Sequence, residues 1–238
     1  MATKPYDVSS HKDTIALRNK THVSDLIRKE NKSTDSCIED KSGHVKKFYG
    51  MAGMLGPAIG WVSLYVATRN YAGFSWKTQA VSDFFSTRAD GVLTAGLFAS
   101  GILTSASAYG LGKKYSDSNT LRAGAILLGI GGASLAAVSI SHGDLSFMHV
   151  PAATGYFAAT SASLIILGTG FLKDGYKKAI GAVTVSAGLA SLAILSTRVY
   201  PGIAIKETLS SVLYGSWVFG AGAGMLFSST RKKEADTA

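Results

Sequence analysis

The sequence lacks most of the features from which catalysis is usually inferred. Its one cysteine, Cys37, excludes an intramolecular disulfide and any cysteine-rich metal site. A Gly-x-Ser-x-Gly nucleophile elbow, a His-Glu-x-x-His zinc motif and a phosphate-binding Walker loop are all absent. These absences leave enzymatic activity undecided and favour a protein that is not an enzyme.

Charge is also absent from large parts of the chain. None of the 24 Lys and Arg or 15 Asp and Glu side chains lies in the segments 48–68, 91–112, 123–141, 150–171, 179–197 and 209–228. A stretch of about 18 or more uncharged, mostly apolar residues is typical of a membrane span. The sequence therefore excludes an ordinary soluble domain. It predicts an all-α fold, a polytopic integral membrane bundle of six transmembrane helices.

The charged residues define three regions. Residues 1–47 carry ten basic and seven acidic side chains and few large apolar ones. A segment of that composition buries too little apolar surface to order itself, so we expect a disordered tail. Residues 48–228 form the predicted transmembrane domain, and residues 229–238 a short tail that is first basic and then acidic.

The distribution of Lys and Arg predicts the orientation in the cell membrane. Five lie on one side of the predicted spans, namely Arg69, Lys77, Arg88, Arg198 and Lys206. Eleven lie on the other side: Lys46, Lys47, Lys113, Lys114, Arg122, Lys173, Lys177, Lys178, Arg231, Lys232 and Lys233. Because cytoplasmic loops carry the excess of positive charge, both termini should be cytoplasmic. The basic residues are dispersed along short loops, which argues against binding of nucleic acid.

The longest predicted outer loop covers residues 69–90. Ser75 is a suitable N-cap, and Trp76, Ala80 and Phe84 follow it at helical spacing. Aromatic residues together with Lys and Arg at a membrane boundary are typical of a helix that lies in the interface. We expect such an interfacial helix over about residues 75–87.

Polar residues concentrate on the predicted outer side, and five of them are candidates for binding a ligand. The third-to-fourth connection has no Lys or Arg and places two histidines and an aspartate between two apolar spans. A nearby aspartate and serine of the outer loop complete the group: Ser82, Asp83, His142, Asp144 and His149. A third polar place, in the fifth-to-sixth connection, holds Arg198, Tyr200, Lys206 and Glu207.

This candidate group has several interpretations. His142 and His149 could bind zinc with one or two carboxylates, and Asp83, Asp144 and His149 would then be the catalytic candidates. Haem ligation by the two histidines is a weaker alternative, because a pair of histidines alone says little. The histidines could also sense external pH. The simplest interpretation is that these polar residues cap helix ends and contact water or headgroups.

The order of these features resembles a known family. Tyr71 is followed by the run Ser75-Trp76-Lys77-Thr78-Gln79-Ala80-Val81-Ser82-Asp83-Phe84, then by a Gly-rich second span, and later by Asp144 and His149. This pattern is similar to the "domain of unknown function 998" family of six-span membrane proteins of prokaryotes, often archaea, over residues 48–228. Phe84-Phe85 stands where that family has Leu-Gly, and His142 is additional. The resemblance implies the six-span architecture and no particular activity.

The preferred function is a non-catalytic integral membrane protein that binds a small ligand or a lipid headgroup at its outer polar cluster. The alternative is a membrane-embedded, metal-dependent hydrolase. A small transporter is disfavoured because ionisable residues are missing from the predicted spans. The spans contain many of the 27 glycines, and small residues allow helix backbones to approach closely. Such faces suit packing within the bundle and are also compatible with a homo-oligomer in the bilayer.

Overall fold

The computed structural model describes residues 45–87, 90–173, 177–197 and 202–235. Within these ranges the chain forms six long helices and no strand. The helices are α1 (Val45–Asn70), α2 (Asp90–Lys114), α3 (Asn119–Ile140), α4 (His149–Lys173), α5 (Lys178–Ser196) and α6 (Ile203–Ala235). Residues 1–44, most of the predicted disordered tail, lie outside the described residues.

The six helices have the length and composition to cross a membrane. Large apolar side chains point away from the bundle along their length, including Val62, Ile126, Val183 and Phe227, each exposed over more than half of its surface. In water such a surface would drive aggregation, whereas in a bilayer it contacts lipid tails. The predicted six-span membrane bundle is confirmed.

Each helix begins before the charge-free segment that was used to predict it. In particular, α6 begins at Ile203 and therefore includes Lys206 and Glu207, which the sequence assigns to a loop. The Ala204 N–H, which has no partner within its own helix, donates to the Gln79 carbonyl at 3.1 Å. This bond with a distant segment stabilises the early start of α6.

Helices adjacent in sequence are also adjacent in space. The pairs α2–α3, α3–α4 and α4–α5 have the most extensive contacts, and α5 also packs on α6. Glycines of α1 contact α2 and α6, so the first helix lies beside the last. We call the end formed by residues 71–87 and 141–148 the cap end, and the opposite end, where α1 begins and α6 ends, the terminal end.

Glycines form the seams between these helices. A Cβ on Gly101 of α2 would lie 2.5 Å from the Gly132 carbonyl oxygen of α3. A Cβ on Gly168 of α4 would lie 2.6 Å from the Val185 nitrogen of α5. Both distances are far below van der Waals contact, so only glycine permits this approach of two backbones. Most of the glycine faces thus pack within the chain.

The cap end is closed by residues 71–87, the cap segment. A short 3₁₀ helix, the cap helix, covers Val81–Ser86, and turns take the place of the rest of the helix expected over 75–87. Phe84 is fully buried and stacks on Phe74 with 4.2 Å between the ring centroids. The Gln79 carbonyl accepts the Ala204 N–H and its side-chain oxygen accepts the Ser75 N–H, so this part of the chain is bonded to α6 and to itself.

Candidate functional site

A cavity lies below the cap helix, among α1, α2, α3, α4 and α6. It offers about 100 Å³ to water-sized groups, which is room for several of them or for part of a small ligand. The lining is mostly apolar. It consists of Pro57, Gly60, Trp61, Leu64, Val81, Ser82, Phe85, Leu97, Ser100, Thr104, Leu135, Val138, His149, Ala153, Tyr156, Phe157, Glu207, Thr208, Ser211, Tyr214 and Gly215.

One face of α6 supplies many of the polar groups of this lining. The residues Glu207, Thr208, Ser211, Tyr214 and Gly215 all line the cavity. Their spacing of three, four and seven positions places them on one side of a helix. With a rise of 1.5 Å per residue, the face extends about 12 Å down from Glu207, with the carboxylate at the cap end.

Two hydroxyls on this face lack a hydrogen-bond partner. Thr208 Oγ1 and Tyr214 Oη are buried, and among the described residues neither has a donor or acceptor in hydrogen-bond geometry. The Thr104 side chain lies close to the Tyr214 hydroxyl but does not meet that geometry. Tyr214 is only 4% exposed. An unsatisfied hydroxyl in such surroundings costs about 1–3 kcal/mol, so both groups would gain from a partner inside the cavity.

Aromatic rings form a wall beside these hydroxyls. Tyr156 of α4 donates from its hydroxyl to Ser211 Oγ at 3.2 Å. Its ring meets the Tyr214 ring edge to face with centroids 5.8 Å apart, and the Phe157 ring at 4.7 Å. Trp61 packs on α6 from the other side, because a Cβ on Gly215 would lie 2.7 Å from its indole ring. This side of the cavity is therefore aromatic.

Glu207 connects the cavity with the cap segment. The Val81 N–H, at the beginning of the cap helix, donates to Glu207 Oε2 at 2.9 Å. A Cβ on Gly202 would lie 2.0 Å from the Trp76 carbonyl oxygen, so only glycine allows the cap segment to pass this close to α6. Together with the bond between Ala204 and Gln79, these contacts hold the partly buried carboxylate at the top of the cavity.

The structure separates the two outer-loop candidates. Asp83 is exposed, and its Oδ2 accepts the Ala80 N–H at 3.0 Å, so this carboxylate caps its own 3₁₀ helix. Ser82 lines the cavity instead. The two neighbours thus have different surroundings, and the expected approach of Asp83 to the histidines stays a prediction.

The two histidines meet at Phe85. The His142 ring stacks on Phe85 with centroids 5.3 Å apart, and the His149 ring meets Phe85 at 5.9 Å, edge to face. His142 Nε2 lies 3.8 Å from Asp90 Oδ1 and 3.5 Å from Thr94 Oγ1. Of the two histidines, only His149 lines the cavity. Phe85 therefore stands between the cavity and the pair that His142 forms with Asp90.

Metal ligation requires a closer cluster. Among the described residues, no group of three or more His, Cys, Asp or Glu side chains is arranged to hold a metal ion. The Asp144 side chain lies outside the described part of the chain. The zinc and haem interpretations of His142 and His149 stay predictions.

Several residues of the site were not among the sequence candidates. Asp90 pairs with His142, and Glu207, Thr208 and Tyr214 line the cavity. A usable signal was present in α6, where polar residues recur at helical spacing from Glu207 onward in an otherwise apolar segment. Asp90 gives no such signal, because its proximity to His142 depends on the packing of α2 beside the third-to-fourth connection.

Comparison with known proteins agrees with the architecture. No curated protein and no solved structure matches the chain. Residues 54–224 match the family described as "Protein of unknown function (DUF998)". The match covers α1 through most of α6, and with it the cap segment and the cavity. The resemblance seen in the sequence is therefore confirmed, and the chain belongs to the DUF998 family.

Proposed function

We propose that the protein binds a small amphipathic ligand in the cavity beneath the cap helix. The observation that carries this proposal is the pair of buried hydroxyls, Thr208 Oγ1 and Tyr214 Oη, that lack a partner among the described residues and belong to a cavity-lining face. Buried polar groups are nearly always hydrogen-bonded, so exceptions call for a specific explanation. A ligand hydroxyl, amide or amine between them supplies the missing bonds.

The chemistry of the walls supports an amphipathic rather than a polar ligand. Leu64, Leu97, Leu135 and Val138 line the cavity opposite the polar face of α6. Sites of this kind bind through a large apolar area and a few polar groups that fix orientation. The ligand we propose has an apolar body against these side chains and a polar group directed at α6.

Binding is better supported than metal-dependent hydrolysis. A catalytic zinc site has three protein ligands, and the described residues provide no such group. Asp83, one of the three catalytic candidates, is occupied in capping the helix that contains it. The cavity accounts for Ser82 and His149 as lining residues without a metal.

The proposal includes an orientation in the cell membrane. The terminal end carries Lys113, Lys114, Lys173 and Lys178 at or near the ends of α2, α4 and α5, and this excess of positive charge is typical of a cytoplasmic face. The cavity and its cap then lie toward the outside. In sealed vesicles, a membrane-impermeant thiol reagent should label Cys37 only from the cytoplasmic side.

Binding can be tested with dodecanol, a neutral amphiphile, and the protein in lipid nanodiscs. Ala153 lines the cavity, so Ala153→Phe should fill it and weaken dodecanol binding by about tenfold or more. Ala158→Phe places the same ring on the exposed side of the same helix and is the matched control. Equal affinity of the Ala153→Phe variant and the wild type would contradict the cavity as the binding site.

A further inference from the structure

We propose that the cavity selects amphiphiles that carry a single positive charge, an ammonium group on an apolar body, and that Glu207 is the residue that recognises the charge. This inference rests on the proposed binding function and adds the chemical class of the ligand. It is carried by the position of Glu207, by the charges of the lining and by the aromatic wall.

The position of Glu207 leaves its carboxylate available to a ligand. Of its oxygens, Oε2 accepts the Val81 N–H at 2.9 Å, and no other hydrogen bond or ion pair of Glu207 occurs among the described residues. A carboxylate can accept about four hydrogen bonds, so most of its capacity is unused. An ionisable residue within a membrane-spanning helix is costly to maintain and usually marks a functional site.

The charges around the cavity favour a cation. Among the described residues, Glu207 is the acidic residue of the lining, His149 is its one basic residue, and no Lys or Arg belongs to it. The neighbouring Lys206 lies on α6 but not on the cavity face. Glu207 would repel a negatively charged ligand, and in surroundings of low polarity this repulsion is strong because no cation of the lining compensates it.

The aromatic wall adds attraction for the same charge. The rings of Trp61, Phe85, Phe157 and Tyr156 line the cavity along with Tyr214. The faces of aromatic rings attract cations, and cages of such rings recognise ammonium groups in many proteins. A carboxylate at the cap end and rings below it suit an ammonium group near Glu207 with its apolar chain against Leu64, Leu97 and Leu135.

The test compares three probes of equal chain length that differ in charge: dodecylamine, which is protonated at neutral pH, dodecanol and dodecanoate. Binding to the wild-type protein in nanodiscs should follow the order amine, alcohol, carboxylate, with the amine about tenfold tighter than the alcohol. Glu207→Gln should remove that preference, since the amide still accepts the Val81 N–H but carries no charge. Asp117→Asn removes an exposed carboxylate at the terminal end of the bundle and should leave the preference unchanged.

The outcomes separate this inference from the binding function itself. If the amine and the alcohol bind equally well to the wild type, or if Glu207→Gln keeps the preference, charge selection is wrong while cavity binding stands. If the wild type binds none of the three probes, both proposals fail. The wild-type comparison does not depend on any variant folding correctly, and thermal unfolding of Glu207→Gln checks that its fold is retained.

The ammonium group could belong to a free amine or to an aminolipid of the bilayer. Nanodiscs made with and without sphingosine, an aminolipid that has no phosphate group, distinguish the two sources. Competition between this lipid and dodecylamine for the wild type, lost in Glu207→Gln, supports an aminolipid as the occupant. Dodecylamine affinity that is independent of the lipid supports a free amphiphilic amine.

Discussion

The contact between α1 and α6 is built in two different ways along its length. Toward the terminal end, a Cβ on Gly222 would lie 2.7 Å from the Gly50 carbonyl oxygen, so backbone meets backbone. Toward the cap end, a Cβ on Gly215 would lie 2.7 Å from the Trp61 ring, so an indole stands between the two backbones. The same small residue is used at both places, but its partner differs.

This difference shows how a bundle of glycine-rich helices keeps an open space. Small residues draw the helices together where a neighbouring backbone is within reach, and in lipid this close packing is a main source of association. Where Trp61, Tyr156 and Tyr214 lie between the helices, the backbones are held apart and the cavity forms beside the rings. The cap segment covers the cavity at the cap end.

Removal of the Phe84 side chain, which anchors the cap segment, should have the largest effect on stability. Phe84 is fully buried among Ala67, Leu93 and Phe74, so Phe84→Ala should lower the free energy of unfolding by about 3–5 kcal/mol. Phe147, at the same end of the bundle, is 74% exposed, and Phe147→Ala should change stability little. Reversible unfolding in detergent, followed by circular dichroism, measures both. Similar losses in the two variants would show that the cap is not anchored by Phe84.

A substitution in the close contact between α1 and α6 toward the terminal end should have the next largest effect on stability. Gly222→Ala places a methyl group against the Gly50 carbonyl and should lower the free energy of unfolding by about 1–3 kcal/mol. Gly220, on the same helix, has nothing within 4 Å of its Cβ position, so Gly220→Ala is the matched control and should be tolerated. A Gly222→Ala variant as stable as Gly220→Ala would remove the basis for the close contact described here.

The smallest effect on stability is expected from two threonine substitutions, one in the packed region and one in the cavity. Trp217 Nε1 donates to Thr184 Oγ1 at 2.8 Å, so Thr184→Val should cost about 0.5–1.5 kcal/mol. Thr208 Oγ1 has no partner among the described residues, so Thr208→Val should leave stability unchanged or slightly raise it. Unfolding of the two isosteric variants, measured side by side, gives the comparison. A greater loss in Thr208→Val would mean that its hydroxyl is satisfied.

The architecture was predictable because a membrane imposes strict rules on sequence. A segment that spans the hydrocarbon must be long and apolar, and each charge-free segment lies almost entirely within one of the six helices. The early start of α6 was missed for a related reason. Glu207 and Lys206 are charged, and a rule based on absent charge places them outside the helix, whereas the cap segment supplies bonds to Glu207 and Ala204 that stabilise this first turn.

The site was less predictable because its parts are distant in the sequence. The candidates Ser82 and His149 line the cavity. His142 instead lies beside Asp90, which was not a candidate, and Asp83 accepts the N–H of the nearby Ala80. Periodicity indicates which residues share a helix face. The residues that such a face meets depend on how the helices pack, and an unpartnered hydroxyl such as that of Tyr214 becomes visible only once the packing is known.

The two hydrogen bonds between the cap segment and α6 also bear on the biosynthesis of the protein. Gln79 and Val81 are translated long before Ala204 and Glu207, so their partners do not exist until the last helix emerges from the ribosome. Contacts of such large sequence separation form late in folding. The cap can therefore close over the cavity only after α6 has entered the membrane, and a chain truncated before Ile203 would leave the cap segment without its anchor on α6.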